Sequence, residues 1–164
     1  MDNIAIAKRW LEKAIKNNID EVMDRFFSLY VAYNALYSRL SIKQGDDRRS
    51  ATTRMAVYLK IEKISVLNNC ESEIFEIIKL IEDDVFYIYG NESKQPHKQD
   101  SYIIAKIKED INNYGAILNL IYGMRNNMFH GEKQIIAEQI NLLNPANYIL
   151  EKLVRELIKK EEEI

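Results

Sequence analysis

The sequence contains few residues that interrupt helices, and few that form covalent or metal cross-links. Its 164 residues include two prolines and five glycines, so few positions force a helix to end. Cys70 is the single cysteine, which excludes an intrachain disulfide, and we interpret it as a half-buried small residue. The two histidines, His97 and His130, form no cluster with cysteine, so no metal site is expected. This composition favours an all-helical chain.

A long apolar run and a strong net charge are also missing. No apolar run approaches the roughly 20 residues of a membrane span, and the first helix mixes charges without the apolar block of a signal peptide. The formal net charge is −2, so a polyanion would have to bind at a local patch. We therefore expect a cytoplasmic protein without a membrane segment, cofactor or metal, folded as one domain over residues 1–164.

Apolar residues recur at steps of three and four along most of the chain, which predicts helices. The main helices are predicted near 3–17, 20–43, 52–67, 72–88, 100–130 and 145–160, with a short helix over 134–142. The polar stretches 44–54 and 89–101 are predicted to be loops, the second of them flexible, and 159–164 is predicted to be a frayed tail. The long seams are typical of helices packed lengthwise, so the predicted fold is an all-α up-and-down bundle of about five to six helices.

The stretch MRNNMFHGEK, residues 124–133, places a charge on one of these seams. The seam of the predicted helix 100–130 continues onto Arg125 and Met128, so an arginine stands where an apolar residue is expected. A buried charge is tolerated when it faces a cleft or has a partner. One interpretation is structural: Arg125 and His130 in a last helical turn would interact with the helix dipole, and Gly131 would end the helix.

The other interpretation is chemical. The planar guanidinium of Arg125 fits a phosphate, and Asn126 can donate or accept a hydrogen bond without changing charge. His130 has a reference pKa of about 6.5 and can move a proton near neutral pH. These groups suit RNA cleavage without a metal, in which the 2′-hydroxyl attacks its own 3′-phosphate. That reaction needs a base, an acid for the leaving 5′-oxygen, and positive charge on the phosphorane.

Two segments resemble HEPN-domain proteins. RNNMFHG is similar to the HEPN motif, an arginine and a polar residue, often Asn, with a histidine four to six residues after the arginine. FFSLYVAYNALYSRL, residues 26–40, is similar to the aromatic-Asn-aliphatic-Tyr segment on an early helix of many such domains. With the apolar C-terminal helix, the likeness extends over about 20–158, and its specific matches are at 30–38 and 124–133.

The resemblance implies a homodimeric helical bundle in which the Arg–His helices face a shared cleft. Many HEPN proteins are metal-independent endoribonucleases of toxin–antitoxin, phage-defence or CRISPR systems, so RNA and an antitoxin or defence protein are the implied partners. By this resemblance, Arg125 would bind the phosphate or the transition state and His130 would be the catalytic proton carrier. Asn126 would be the polar residue of the motif. Asn34 carries over as a structural part of the early helix. Glu132 stands where toxins paired with a nucleotidyltransferase often have a modified tyrosine, a departure from that pattern.

Basic residues between Arg39 and Lys63 form a second, weaker candidate. Arg48, Arg49 and Arg54 could contact an RNA backbone, or they could belong to an ordinary solvated loop and helix face. Two other functions stay open beside the ribonuclease. One is a non-catalytic HEPN module that binds nucleotide, RNA or a partner protein, and the other is a purely structural helical adaptor.

Overall fold

The computed structural model describes residues 2–16, 22–83, 98–129 and 137–163, and every regular element in these ranges is helical. The α-helices are α1 (Asn3–Lys16), α2 (Val22–Tyr37), α3 (Asp47–Arg49), α4 (Met55–Ile61), α5 (Glu71–Glu82), α6 (Lys98–Glu109), α7 (Tyr114–Phe129) and α8 (Ala137–Glu162). Ser38–Leu40 and Val66–Cys70 form 3-10 turns, and a π-helix, Ser50–Arg54, joins α3 to α4. The all-α prediction is confirmed, with more helices in the described ranges than the five to six expected.

Helix α2 lies at the centre of the core and packs against α1 and α8. It is buried on almost every side, as a helix with apolar residues all around it must be. The rings of Phe26, Tyr30, Tyr33 and Tyr37 form successive contacts, with centroids 6.0, 5.8 and 5.0 Å apart. The three tyrosines are at most 2% exposed. A column of aromatic rings therefore runs along α2. In the last two turns of the helix, the tyrosine hydroxyls are polar groups inside the protein.

Helix α8 runs in the same direction as α2. Asn147 donates to the carbonyl of Val22 at 3.0 Å near the start of α2, and Arg39, just after its end, pairs with Glu161 at 2.7 Å. The face of α8 toward the core is formed by buried apolar residues at helical spacing, namely Ile149, Leu150, Leu153, Val154 and Leu157. Within the described ranges, no helix combines the length and apolarity needed to cross a membrane.

The predicted loop over 44–54 is wrong, because the chain is helical from Asp47 to Ile61. Several polar groups of this stretch form hydrogen bonds and an ion pair with one another. Thr52 donates to the carbonyl of Arg48 at 2.7 Å, and Arg54 pairs with Asp46. The hydroxyl of Tyr33 donates to the carbonyl of Ala51 at 2.5 Å, so α2 and the π-helix are tied together. The predicted helix ends are also corrected: α2 stops at Tyr37 and α4 at Ile61.

The single helix predicted over 100–130 is two helices, α6 and α7. The side chains of the connecting residues end one helix and begin the next. Asp110 accepts the backbone N–H of Asn112 at 2.9 Å, and Asn113 caps α7 by accepting the N–H of Ala116 at 3.1 Å. The apolar seam continues across this break, which is why periodicity alone did not reveal it.

Two predicted boundaries near the C-terminus are also wrong. Helix α8 is continuous, with Pro145 inside it rather than at its start. Proline removes one backbone donor there, and the burial of Ala146, Ile149 and Leu150 offsets that loss. The tail predicted to fray from residue 159 is helical as far as Glu162, because Tyr58 donates to Glu161 at 2.6 Å and Arg39 pairs with the same carboxylate.

The flexible loop predicted over 89–101 is wrong at its C-terminal end. Its last residues belong to α6, where Asp100 is fully buried. Residues 84–97, which include His97, lie outside the described part of the chain. Cys70 is fully buried rather than half-buried, and burial raises the pKa of its thiol to about 11.

Lys63 follows the C-cap of α4 and has a left-handed conformation with φ of 56°. The N–H of Ile64 donates to the carbonyl of Leu59 at 2.8 Å, which closes the helix in the manner usual for glycine at the Lys63 position. A side chain with a Cβ is strained in this conformation, so Lys63→Gly should stabilise the protein by roughly 0.5–1 kcal/mol. Urea denaturation would measure this. Lys63→Ala keeps the strain and should bring no gain; an equal gain would show that the lysine side chain itself is destabilising.

Candidate functional site

Arg125 and Asn126 lie in the last turns of α7, where both are half-buried. The Nη1 group of Arg125 donates to Oδ1 of Asn126 at 2.8 Å. The guanidinium carbon of Arg125 lies 5.7 Å from the ring centroid of Tyr30 and 5.9 Å from that of Tyr122. A cation at this distance from an aromatic face is attracted by the ring quadrupole. The charge on the predicted apolar seam is thus accommodated against aromatic rings at the margin of the core.

The third motif residue, His130, lies outside the described residues, as do Gly131 and Glu132. The structure therefore brings Arg125 and Asn126 together, and the placement of His130 relative to them stays a prediction from the motif.

The carboxylate of Asp47 organises the polar groups beside Arg125. Its Oδ1 accepts the hydroxyl of Tyr37 at 2.9 Å and the amide of Asn34 at 3.3 Å. Its Oδ2 accepts the hydroxyl of Tyr122 at 2.9 Å. Asn34 also donates to the hydroxyl of Tyr37 at 2.5 Å. One carboxylate at the start of α3 therefore fixes side chains of both α2 and α7.

Arg48, the residue after Asp47, contacts the same group of side chains. Its guanidinium carbon is 5.8 Å from the ring centroid of Tyr122, the ring that Arg125 also approaches. Its Nη2 donates to Oδ1 of Asn119 at 3.3 Å, and Asn119 is held in turn by the carbonyl of Gly115 at 3.0 Å. We call the assembled residues the arginine–tyrosine cluster, which consists of Asn34, Tyr37, Asp47, Arg48, Tyr122 and Arg125.

The three arginines proposed as an RNA-binding patch have different surroundings. Arg48 belongs to the arginine–tyrosine cluster. Arg54 is half-buried, pairs with Asp46 and donates to Ser50 at 3.2 Å, so it holds the π-helix together. Arg49 is exposed on the surface of α3. Of the three, Arg48 is the one that contacts the same ring as Arg125.

The phenols of the arginine–tyrosine cluster remain protonated over the physiological range. Burial raises the pKa of Tyr37 and of Tyr122, and the negative charge of Asp47 raises both further. Protonated phenols are the hydrogen-bond donors that Asp47 requires. With two arginines and one aspartate, the cluster carries a formal charge of +1, the sign that a phosphate oxygen needs.

Asp47 and Tyr122 escaped the sequence analysis. Neither residue belongs to a motif that distinguishes it from the other aspartates or tyrosines of the sequence. The two residues are 75 positions apart, and no local pattern connects them. Asn34 was predicted to be structural, and its bonds to Tyr37 and Asp47 place it inside the cluster.

No group of three or more His, Cys, Asp or Glu side chains suited to a metal ion occurs among the described residues. The cluster thus offers guanidinium, phenol and amide groups as the means of binding a ligand. Comparisons with protein-family models, with curated proteins and with solved structures gave no match to this chain. The functional interpretation therefore depends on the motif and on the geometry of the arginine–tyrosine cluster.

Proposed function

We propose that the protein is a metal-independent endoribonuclease of HEPN type, acting in a toxin–antitoxin or phage-defence setting. The observation that carries the proposal is the position of Arg125, half-buried against two tyrosine rings, with Arg48 on one of the same rings. His130 follows Arg125 at the spacing of the HEPN motif. Transfer within a phosphodiester requires positive charge at the phosphate and a proton carrier, the roles proposed for the arginines and for His130.

In this mechanism the 2′-oxygen forms a bond to the neighbouring phosphorus and the bond from phosphorus to the 5′-oxygen breaks. A base takes the proton of the 2′-hydroxyl, and an acid gives a proton to the leaving 5′-oxygen. Arg125 binds the phosphate and stabilises the negative charge that develops on it, and Asn126 holds the guanidinium through the bond at 2.8 Å. The products carry a 2′,3′-cyclic phosphate and a 5′-hydroxyl.

RNA cleavage in the presence of EDTA tests this proposal. We expect cleavage of single-stranded RNA to continue at full rate with the chelator, since the chemistry uses side chains alone. Mass spectrometry of the fragments should show cyclic phosphate and 5′-hydroxyl ends. The protein with His130→Ala, prepared in parallel, controls for contaminating nucleases. Cleavage abolished by EDTA, or fragments with 5′-phosphate ends, would disprove the mechanism.

A second part of the proposal concerns assembly. One histidine cannot serve as base at the 2′-oxygen and as acid at the 5′-oxygen in the same step, and this chain has one histidine in the motif. Two copies of His130 across a twofold axis would fill both roles, and two copies of Arg125 would add positive charge. We therefore propose a homodimer with the two motifs at its interface.

Mixing active and inactive subunits tests the shared site. Refolding wild-type protein with an excess of His130→Ala subunits should lower activity more steeply than the wild-type fraction, because mixed dimers lack one of the two histidines. Native mass spectrometry would quantify the mixed dimers. Activity that falls only in proportion to the wild-type subunits, while mixed dimers are present, would contradict the shared-site dimer.

A further inference from the structure

The side chain of Tyr122 lies close to three charged groups. Its hydroxyl donates to Asp47, and its ring is approached by the guanidinium of Arg48 and by that of Arg125. Tyr122 and Arg125 are three residues apart on α7 and therefore share a helix face. The ring is only 7% exposed, so it cannot turn independently of its surroundings. The orientation of this ring therefore affects both arginines.

Asp47 controls that orientation in two ways. Its carboxylate accepts a hydrogen bond from the hydroxyl of Tyr122. It is also the residue before Arg48 on α3, so holding Asp47 in place restrains the backbone from which the Arg48 side chain extends. The other oxygen of the carboxylate is held by Tyr37 and Asn34 of α2. Since α2 is the central helix of the core, Asp47 links a rigid part of the protein to Tyr122, the ring that both guanidinium groups contact.

Ordering an arginine side chain costs about 2 kcal/mol of rotamer entropy. A side chain that is already held in place before a ligand binds therefore lowers the entropic cost of binding. Arg48 is restrained by the ring of Tyr122 and by Asn119, and Arg125 by two rings and Asn126. Both guanidiniums are thus restrained at the ring of Tyr122, with Arg48 on the exposed surface of α3 and Arg125 half-buried. Each has a planar donor fork suited to phosphate oxygens.

We infer that Arg48 and Arg125 form a two-arginine phosphate clamp, and that Asp47 is its positioning residue, acting through the hydroxyl of Tyr122. The clamp deepens the ribonuclease proposed above and rests on it for the identity of the ligand, a phosphodiester of RNA. Arg48 then joins Arg125 as a phosphate-binding residue, and Tyr122 orients both without touching the reacting atoms.

Paired tyrosine-to-phenylalanine substitutions test the role of Asp47. Tyr122→Phe removes the hydroxyl that bonds Asp47, and Tyr58→Phe removes a comparable phenol–carboxylate bond, to Glu161, outside the cluster. We expect Tyr122→Phe to lower the kcat of RNA cleavage about 10- to 100-fold with KM changed much less, since a misplaced clamp loses transition-state contacts. Tyr58→Phe should cost similar stability and leave kcat unchanged. Equal losses of kcat in the two variants would overturn the positioning role.

A double-mutant cycle shows whether Asp47 acts through the phenol. Asp47→Asn should lower kcat at least as much as Tyr122→Phe, and the double variant should be no slower than Asp47→Asn alone. Independent, multiplying effects of the two substitutions would show that Asp47 does not act through Tyr122. In that case the positioning role assigned to it is wrong.

Phosphate binding tests the clamp separately from cleavage. In nitrogen–proton spectra of the arginine Nε groups, inorganic phosphate should shift the signals of Arg48 and Arg125 together, and in Tyr122→Phe the two signals should no longer shift together. If these shifts occur and RNA is not cut, the clamp stands and the ribonuclease proposal fails. If RNA is cut while Arg48→Ala leaves kcat and KM unchanged, the clamp is refuted and the ribonuclease proposal stands.

Discussion

Replacing Arg125 by alanine should lower EDTA-resistant RNA cleavage by about 100- to 1000-fold, the usual effect of removing one preorganised charge from a transition state. The guanidinium is the charged group of the motif that the structure places, and it is held by Tyr30, Tyr122 and Asn126. Arg125→Lys keeps the charge and loses the planar fork, so we expect it to recover only part of the activity. Single-turnover cleavage of a short labelled RNA would measure each rate.

The same substitution should cost little stability. Each cation–ring contact contributes about 0.5–1 kcal/mol, so Arg125→Ala should lower the free energy of unfolding by roughly 1–2 kcal/mol and the Tm by a few degrees. Arg9→Ala, an exposed arginine on α1, is the matched control and should change neither activity nor Tm. Loss of folding with Arg125→Ala would mark this residue as part of the core. Unchanged cleavage in a folded variant would remove it from the mechanism.

Raising the pH above about 10 should unfold the protein in one cooperative transition. Burial raises the pKa of Tyr30, Tyr33, Tyr37 and Tyr122 above the ordinary value. In the unfolded chain these phenols ionise near pH 10, and in the folded protein they keep their protons to higher pH. Their contribution to stability is thus complete below pH 10 and decreases as the pH rises.

The size of this loss follows from linkage. Each phenol that ionises only in the unfolded state costs about 1.4 kcal/mol for every pH unit above 10, so four cost roughly 5–6 kcal/mol per unit. The total stability of a domain is typically only about 5–15 kcal/mol. Circular dichroism should therefore report loss of helix at the pH where tyrosinate absorbance rises steeply.

Two phenylalanine variants check the origin of the alkaline transition. Tyr33→Phe removes a buried phenol and should reduce the dependence of stability on pH by about 1.4 kcal/mol per unit above pH 10. Tyr102→Phe removes a phenol that is 64% exposed and should leave that dependence unchanged. Titration of all the tyrosines near pH 10 with the helices intact would contradict the prediction.

The spacing of apolar residues predicted the helices that bury one regular face. The buried faces of α2 and α8 follow from apolar spacing, because each helix packs along its length. Residues 47–54 could not be predicted in this way, since their polar groups bond to one another, as Arg54 does to Asp46, or to a distant partner, as the carbonyl of Ala51 does to Tyr33. The break before α7 depends on the cap at Asn113, a local signal that the continuing apolar seam concealed.

The candidate site also has residues that the sequence could single out and residues that it could not. Arg125 and Asn126 are neighbours in a short motif, so the sequence alone could single them out. Asp47 and Tyr122 become functional candidates through one hydrogen bond between helices that are far apart in the chain. A single sequence holds no local trace of such a contact, because any aspartate and any tyrosine would look the same.

The distance in sequence between the members of the arginine–tyrosine cluster also has a consequence during synthesis. Asn34 and Tyr37 leave the ribosome early, Asp47 and Arg48 follow, and Tyr122 and Arg125 come last, on α7. A growing chain therefore has no assembled cluster until α7 has emerged and packed against the earlier helices. If the protein cleaves RNA, its order of synthesis delays that activity, so the ribosome that produces it and the messenger being read are spared until α7 has been made.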